Sequence, residues 1–144
     1  MKPTSALITG ASKGIGFAVA KRFAPMLSVL HLVARGNEDL RKAAENLKRP
    51  GLSIHLHSVD LTSQEGVELL AKAVKDTTST LDVLVNNAGV YLPGSLVGEN
   101  RSDLRYMMNL NVLSHYDLIN ALEDCFPPGS YIFEMSSVAA KSYF

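Results

Sequence analysis

The stretch TGASKGIG, Thr9 to Gly16, decides the fold. It follows the apolar run SALIT (Ser5 to Thr9), which predicts a buried strand, and it leads into apolar residues at helical spacing up to Met26. Its three glycines let the backbone turn sharply and approach a diphosphate, while a helix start offers free N–H groups and a positive dipole end. The spacing is neither GxGxxG nor a P-loop. An ordinary tight turn between strand and helix is the alternative.

Strands and helices alternate along the rest of the chain. Further strands are predicted at 28–34, 53–59, 81–85 and 130–135, and helices at 39–47, 63–75 and 103–122. Asn37 is the predicted N-cap of the helix at 39–47. The alternation predicts an α/β fold with a doubly wound parallel sheet, in one domain over residues 1–144. Ligands of such sheets bind beyond the carboxyl ends of the strands.

Composition excludes several classes of protein. Fourteen basic and fourteen acidic side chains cancel, which gives no electrostatic case for a nucleic-acid or membrane partner. No stretch approaches the ~20 apolar residues of a membrane span. The single cysteine, Cys125, rules out an internal disulfide, and we expect a reducing, cytoplasmic location. The four histidines look scattered, with no spacing that predicts a metal site.

Several motifs together resemble the short-chain dehydrogenase/reductase family. TGASKGIG matches the TGxxxGxG turn of that family, and Asn86-Asn87-Ala88-Gly89 matches its NNAG motif. Asp60, Asn111 and Ser137 stand where the family has its adenine-site aspartate, its helix asparagine and its catalytic serine. The resemblance spans essentially the whole chain. It implies a Rossmann-type fold and hydride transfer between a nicotinamide cofactor and a small carbonyl or alcohol substrate.

The resemblance also implies a set of cofactor-binding residues. They are Gly10, Ser12, Lys13, Gly14, Ile15, Gly16, Arg35, Asp60, Leu61, Asn86, Asn87, Ala88 and Gly89. The strand at 28–34 ends in alanine and is followed by Arg35, where a carboxylate would bind the free ribose of NAD. A guanidinium suits the 2′-phosphate of NADP instead, and Lys13 adds a second positive charge. We therefore expect NADP(H), the alternative being that Arg35 is a solvated loop residue.

The catalytic residues are represented in part. Ser137, preferred to Ser136, and Asn111 are the predicted catalytic residues. The family's catalytic Tyr-x-x-x-Lys motif does not occur in the sequence, and Tyr143 is interpreted as a loop residue because Lys141 precedes it. We expect the chain to lack the C-terminal part of the family fold. Two alternatives stay open: a non-catalytic nucleotide-binding module and an inactive fragment of such an enzyme.

Without the C-terminal part of the family fold, apolar surface of the remaining strand and helix would be uncovered. The strand at 130–135 would become an exposed sheet edge, and the helix at 103–122 would expose part of an apolar face. We expect this surface to be covered by a second copy of the chain or by a C-terminal segment that the sequence does not contain. The identity of the substrate does not follow from the sequence.

Overall fold

The computed structural model describes residues 3–93 and 100–137 of the chain. In this part five strands form one parallel sheet in the order β3-β2-β1-β4-β5. The strands are β1 (Ser5–Thr9), β2 (Val29–Ala34), β3 (Ser53–Ser58), β4 (Val83–Asn86) and β5 (Tyr131–Glu134). The helices are α1 (Gly14–Phe23), α2 (Asn37–Glu45), α3 (Gln64–Lys75), α4 (Arg101–Met108) and α5 (Ser114–Ala121). The predicted doubly wound parallel sheet is confirmed.

The strand order places the glycine turn at the centre of the sheet. After β1 the chain adds β2 and β3 on one side, and it then returns to add β4 and β5 on the other. The crevice at such a reversal is the usual ligand site of an open α/β sheet. The turn that follows β1 lies at this point.

Apolar layers cover both faces of the central strands. Ala6 and Ile8 of β1 belong to the cluster that packs under α1 and α2, whereas Leu7 belongs to the cluster under α3 and α5. All five residues of β1 are buried. This explains why SALIT reads as a continuous apolar run, since a parallel strand covered on both faces has no polar side.

Three features of the predicted helices need correction. Asn37 is not an N-cap, because α2 begins at that residue and Gly36 occupies the cap position. The long helix begins at Arg101, and the Oδ1 of Asn100 caps it by accepting from the Ser102 N–H. It is also interrupted by a π-helical turn, Asn109–Leu113, between α4 and α5. A π-helical turn closes i→i+5 hydrogen bonds where an α-helix closes i→i+4, and the apolar pattern of the sequence does not locate this one-residue difference.

The sheet edge at β5 carries exposed apolar side chains. All four residues of β5 are exposed, with Tyr131 at 55% and Phe133 at 44%. On the helical layer beside it, Val112 and Tyr116 are exposed at 49% and 65%. The structure thus places apolar surface where the sequence predicts it. Among the described helices, none has the length and apolar character needed to cross a membrane.

Candidate functional site

A cleft of about 320 Å³ opens at the carboxyl ends of the central strands. Its lining comes from the glycine turn, from the ends of β2 and β3 and from the loop after β4. The lining residues are Gly10, Ser12, Lys13, Val33, Ala34, Arg35, Gly36, Asp39, Val59, Asp60, Leu61, Asn87, Ala88, Gly89 and Leu110. Segments far apart in the sequence therefore meet in one concave site, as ligand sites commonly do.

Most of the predicted cofactor residues lie on this lining, but four do not. The four outside it are Gly14, Ile15, Gly16 and Asn86. Asp39 and Leu110 line the cleft but were missed by the sequence reasoning. Asp39 lies in the first turn of α2, close in sequence to Arg35, which could have signalled its proximity. Leu110 looks like an ordinary core position of the long helix, and nothing in the pattern separates it from its neighbours.

The glycine turn depends on absent side chains at two positions. Gly10 has a φ of 64°, in the left-handed region that side chains rarely adopt. A Cβ built on Gly16 would collide with the carbonyl oxygen of Gly10, a backbone atom that cannot move aside cheaply. The turn brings the start of α1 against the end of β1 because both residues are glycine.

The start of α1 is suited to an anion. Lys13 stands at the N-cap without a side-chain capping bond, and the first turn contains no acidic residue. A Cβ on Gly14 would find no atom within 4 Å, so the approach is open. Free N–H groups, the positive dipole end and the Lys13 charge together favour a phosphate or diphosphate.

Thr9 fastens the loop after β4 to the glycine turn. Its Oγ1 accepts from the N–H groups of Asn87 and Ala88, both at 2.9 Å. The Asn87 Nδ2 in turn donates to the carbonyl oxygens of Thr9 at 3.0 Å and Gly10 at 3.3 Å. Two walls of the cleft are thereby held at a fixed spacing. The Asn87 amide forms these hydrogen bonds, so the NNAG motif has a structural role at the site.

Asn86 faces the sheet and not the cleft. It is fully buried, and its Nδ2 donates to the Oε1 of Glu134 on β5 at 2.6 Å. The other oxygen of Glu134 lies 2.7 Å from the Nδ1 of His115, whose Nε2 is 3.2 Å from the Ala88 carbonyl oxygen. The structure therefore places the Asn86 side chain between β4 and β5, outside the lining of the cleft.

The charges around the cleft are mixed. Lys13 and Arg35 are exposed cations of the lining, and Asp39 and Asp60 are exposed anions. The Oδ1 of Asp60 accepts from the N–H and the hydroxyl of Thr62, so this carboxylate is held in a turn. The Nη1 of Arg35 donates to the Tyr106 hydroxyl at 2.6 Å.

Of the two predicted catalytic residues, Asn111 packs beside the cleft. The amide of Asn111 holds the backbone of Val90 with two hydrogen bonds of 2.8 Å. Its Oδ1 would lie 3.3 Å from a Cβ on Gly89, so Asn111 packs against the cofactor-site loop. Ser137 is exposed just after β5. Tyr143 and Lys141 lie outside the described residues.

Three of the four histidines form a cluster, which corrects their prediction as scattered residues. His31 stacks on His55 and His57 with ring centroids 5.0 and 5.2 Å apart. The Nδ1 of His31 lies 2.9 Å from the Nε2 of His57. Burial, reinforced by His57 and His55, lowers the pKa of His31 to about 3, and burial followed by His55 lowers the pKa of His57. In the described ranges no group of three or more histidine, cysteine or acidic residues could hold a metal ion.

Comparison with known proteins gives a consistent set of relatives. The family model described as short chain dehydrogenase matches residues 4–144. Human estradiol 17-beta-dehydrogenase 11 is 34% identical over 110 residues, covering 76% of this chain and 37% of that protein. The structure of L-sorbose reductase from Gluconobacter frateurii, complexed with NADPH and L-sorbose, superposes with a TM-score of 0.79. It is 32% identical and covers 84% of this chain and 46% of that one.

A further solved structure shows the fold alone. A short-chain dehydrogenase/reductase from Serratia marcescens superposes with a TM-score of 0.91 at 23% identity. The match covers 97% of this chain and 58% of that one. The chain thus spans about half the length of the solved relatives it matches.

Proposed function

Because the chain belongs to the short-chain dehydrogenase family, we propose that it binds NADP(H) in the cleft, as part of an oxidoreductase acting on a carbonyl or alcohol. The observation that carries the proposal is the meeting of the glycine turn, Lys13 and Arg35 in one cleft. The relative crystallised with NADPH supports a nicotinamide cofactor. Enzymes of this kind are found with either NAD or NADP, so the choice of NADP(H) depends on the two cations.

Each part of the cofactor would have a matching part of the cleft. The diphosphate would bind at the start of α1, where N–H groups are uncapped and Lys13 stands close. The 2′-phosphate would bind near Arg35, whose guanidinium can offer paired N–H donors. Asp60 and Leu61 would border the adenosine, and Asn87 to Gly89 would border the nicotinamide ribose.

The residues of this chain would support the reaction from the edge of the cleft. When bound, the cofactor supplies a hydride to the carbonyl carbon. The Ser137 hydroxyl would donate a hydrogen bond to the substrate oxygen, where negative charge develops. Asn111 would position the loop that borders the nicotinamide, since its amide holds the Val90 backbone.

A titration with both cofactors tests the proposal. Isothermal calorimetry should show NADPH binding more tightly than NADH to the wild-type chain. Arg35→Asp should weaken NADPH at least about 30-fold, since a charge-assisted bond is replaced by repulsion, and should change NADH much less. Arg41→Asp, an exposed residue of α2 outside the cleft, is the matched control. Equal losses for the two cofactors in Arg35→Asp would remove the argument for NADP(H).

A module that binds the cofactor without catalysis is the second candidate. It is favoured by the commitment of the Asn111 amide to the Val90 backbone. The two candidates differ in turnover. Oxidation of NADPH by a panel of small ketones and aldehydes, followed at 340 nm with protein that binds NADPH, would support the enzyme; binding without oxidation would support the module.

A further inference from the structure

Arg35 is anchored at both its backbone and its side chain. Its carbonyl oxygen accepts from the Ser58 hydroxyl at 2.7 Å, which ties the end of β2 to the end of β3. Its guanidinium reaches across to α4, where the Nη1 donates to the Tyr106 hydroxyl at 2.6 Å. An exposed arginine normally samples many rotamers, and a ligand that binds it must pay for fixing one of them. The bond to Tyr106 removes part of that freedom beforehand.

Tyr106 is itself in a defined position. It is half-buried on α4, and the adjacent π-helical turn is tied to the loop after β3 because the Asn109 Nδ2 donates to the Thr62 carbonyl oxygen at 3.3 Å. The helix is therefore held against the same side of the cleft that contains Asp60. This fixes the distance that the Arg35 side chain has to span.

A phenol is a suitable partner for an arginine that must stay reactive toward an anion. Tyr106 accepts one of the five N–H bonds of the guanidinium and leaves the charge uncompensated. A carboxylate would neutralise it, and Asp39 lines the same cleft. In the described part of the chain, however, Arg35 forms no ion pair. The phenol O–H is a further hydrogen-bond donor next to the guanidinium.

We infer that Tyr106 is a positioning residue that sets selectivity for a 2′-phosphorylated adenosine through Arg35. The inference rests on the proposed NADP(H) site. It assigns a cofactor-selecting function to a helix residue that does not line the cleft and has no place in the motifs of the sequence. Tyr106 would act on the phosphate-bearing cofactor and leave the shared part of the dinucleotide unaffected.

The test compares ligands with and without the 2′-phosphate. Tyr106→Phe keeps the ring and removes the hydroxyl, and Tyr116→Phe, at a residue that is 65% exposed on α5, is the control. Calorimetry is run with NADPH, NADH, adenosine 2′,5′-bisphosphate and adenosine 5′-monophosphate. In Tyr106→Phe we expect roughly three- to ten-fold weaker binding of the two 2′-phosphorylated ligands and less than about two-fold change for the others. Tyr116→Phe should match the wild type.

A second background separates positioning from a general structural effect. In Arg35→Ala, adding Tyr106→Phe should change NADPH affinity by less than about two-fold, because the partner of the hydroxyl is gone. Equal weakening of all four ligands, or an effect that persists without Arg35, would overturn the role of Tyr106. Wild-type protein that binds neither NADPH nor adenosine 2′,5′-bisphosphate would overturn the proposed function as well. Binding by the wild type with unchanged selectivity in Tyr106→Phe would overturn the inference alone.

Discussion

Strands β1 and β5 belong to the same sheet but are held in opposite ways. Every residue of β1 is buried between two helical layers, and every residue of β5 is exposed at the sheet edge. The cleft is built on the first kind of strand, while the apolar residues around β5 are only partly covered by the described residues. We therefore expect the buried strands, which position the cleft, to contribute more to the free energy of folding than β5. The β5 side offers surface for further contacts.

The largest expected contrast is between two residues that face each other across β4 and β5. Leu84 and Ile132 are register partners, with exposures of 0% and 42%. Leu84→Ala should lower the free energy of unfolding by about 2–5 kcal/mol, because it leaves a cavity in the core. Ile132→Ala should cost less than about 1 kcal/mol, since much of its side chain is already in water. Urea unfolding of both variants measures this; equal losses would mean that β5 is covered in solution.

The next contrast is between two glycines. Gly16→Ala should destabilise the protein by about 3 kcal/mol, the upper end for an overpacked site, because the new Cβ would meet the Gly10 carbonyl oxygen. Gly51→Ala, in a turn with a φ of 81° and no atom within 4 Å of the new Cβ, should cost only about 1–2 kcal/mol. Thermal unfolding ranks the two. A Gly16→Ala variant as stable as Gly51→Ala would show that the turn can relax.

Low pH should destabilise the fold through the histidine cluster of His31, His55 and His57. The folded-state pKa of His31 is about 3 and that of His57 is also lowered, so both are neutral in the fold but protonate readily when unfolded. Their stabilising contribution is complete above the ordinary histidine value of about 6.5 and is lost as the pH falls toward the folded pKa. His31 alone gives the free energy of unfolding a slope of up to about 1.4 kcal/mol per pH unit.

The measurement is urea unfolding between pH 7 and 4.5, with His31→Leu as the comparison. In the variant, the free energy of unfolding should depend less steeply on pH. An unchanged slope would contradict the lowered pKa of His31. Asp82 does not add to the pH dependence of stability in the pH range of this measurement. Burial disfavours its charge, but hydrogen bonds from Thr4 and Ser5 outweigh that effect and hold its pKa below the ordinary value, so its contribution is lost only at lower pH.

The central strands and the glycine turn could be predicted because local and global requirements agree there. SALIT is a continuous apolar run and TGASKGIG is a glycine-rich turn, so β1 is predicted at its observed bounds, Ser5–Thr9. The helix after β4 was less predictable. The apolar pattern does not locate its π-helical turn, and its start at Arg101 depends on a cap from Asn100.

The site could be predicted as a set of residues but not as a geometry. Asn86 and Asn87 are adjacent in one motif, yet alternation along the strand end sends one side chain to Glu134 and the other to Gly10. The bond between Arg35 and Tyr106 joins residues 71 positions apart, and no periodicity encodes it. Contacts of this kind depend on how helices lie on the sheet, which side-chain patterning leaves open.

The smallest expected effect concerns the charge balance of the cleft. Asp39 lines it with Arg35 and would repel a phosphate bound there. Asp39→Asn should therefore tighten NADPH binding by roughly two- to five-fold, the range for an exposed charge pair, and should leave NADH nearly unchanged. The gain should shrink in high salt, because screening weakens exposed charges. Glu38→Gln, next to it but paired with Lys42, is the control. Weaker NADPH binding in Asp39→Asn would mean that the carboxylate helps to hold the cofactor, and the cleft would then favour a ribose hydroxyl over a phosphate.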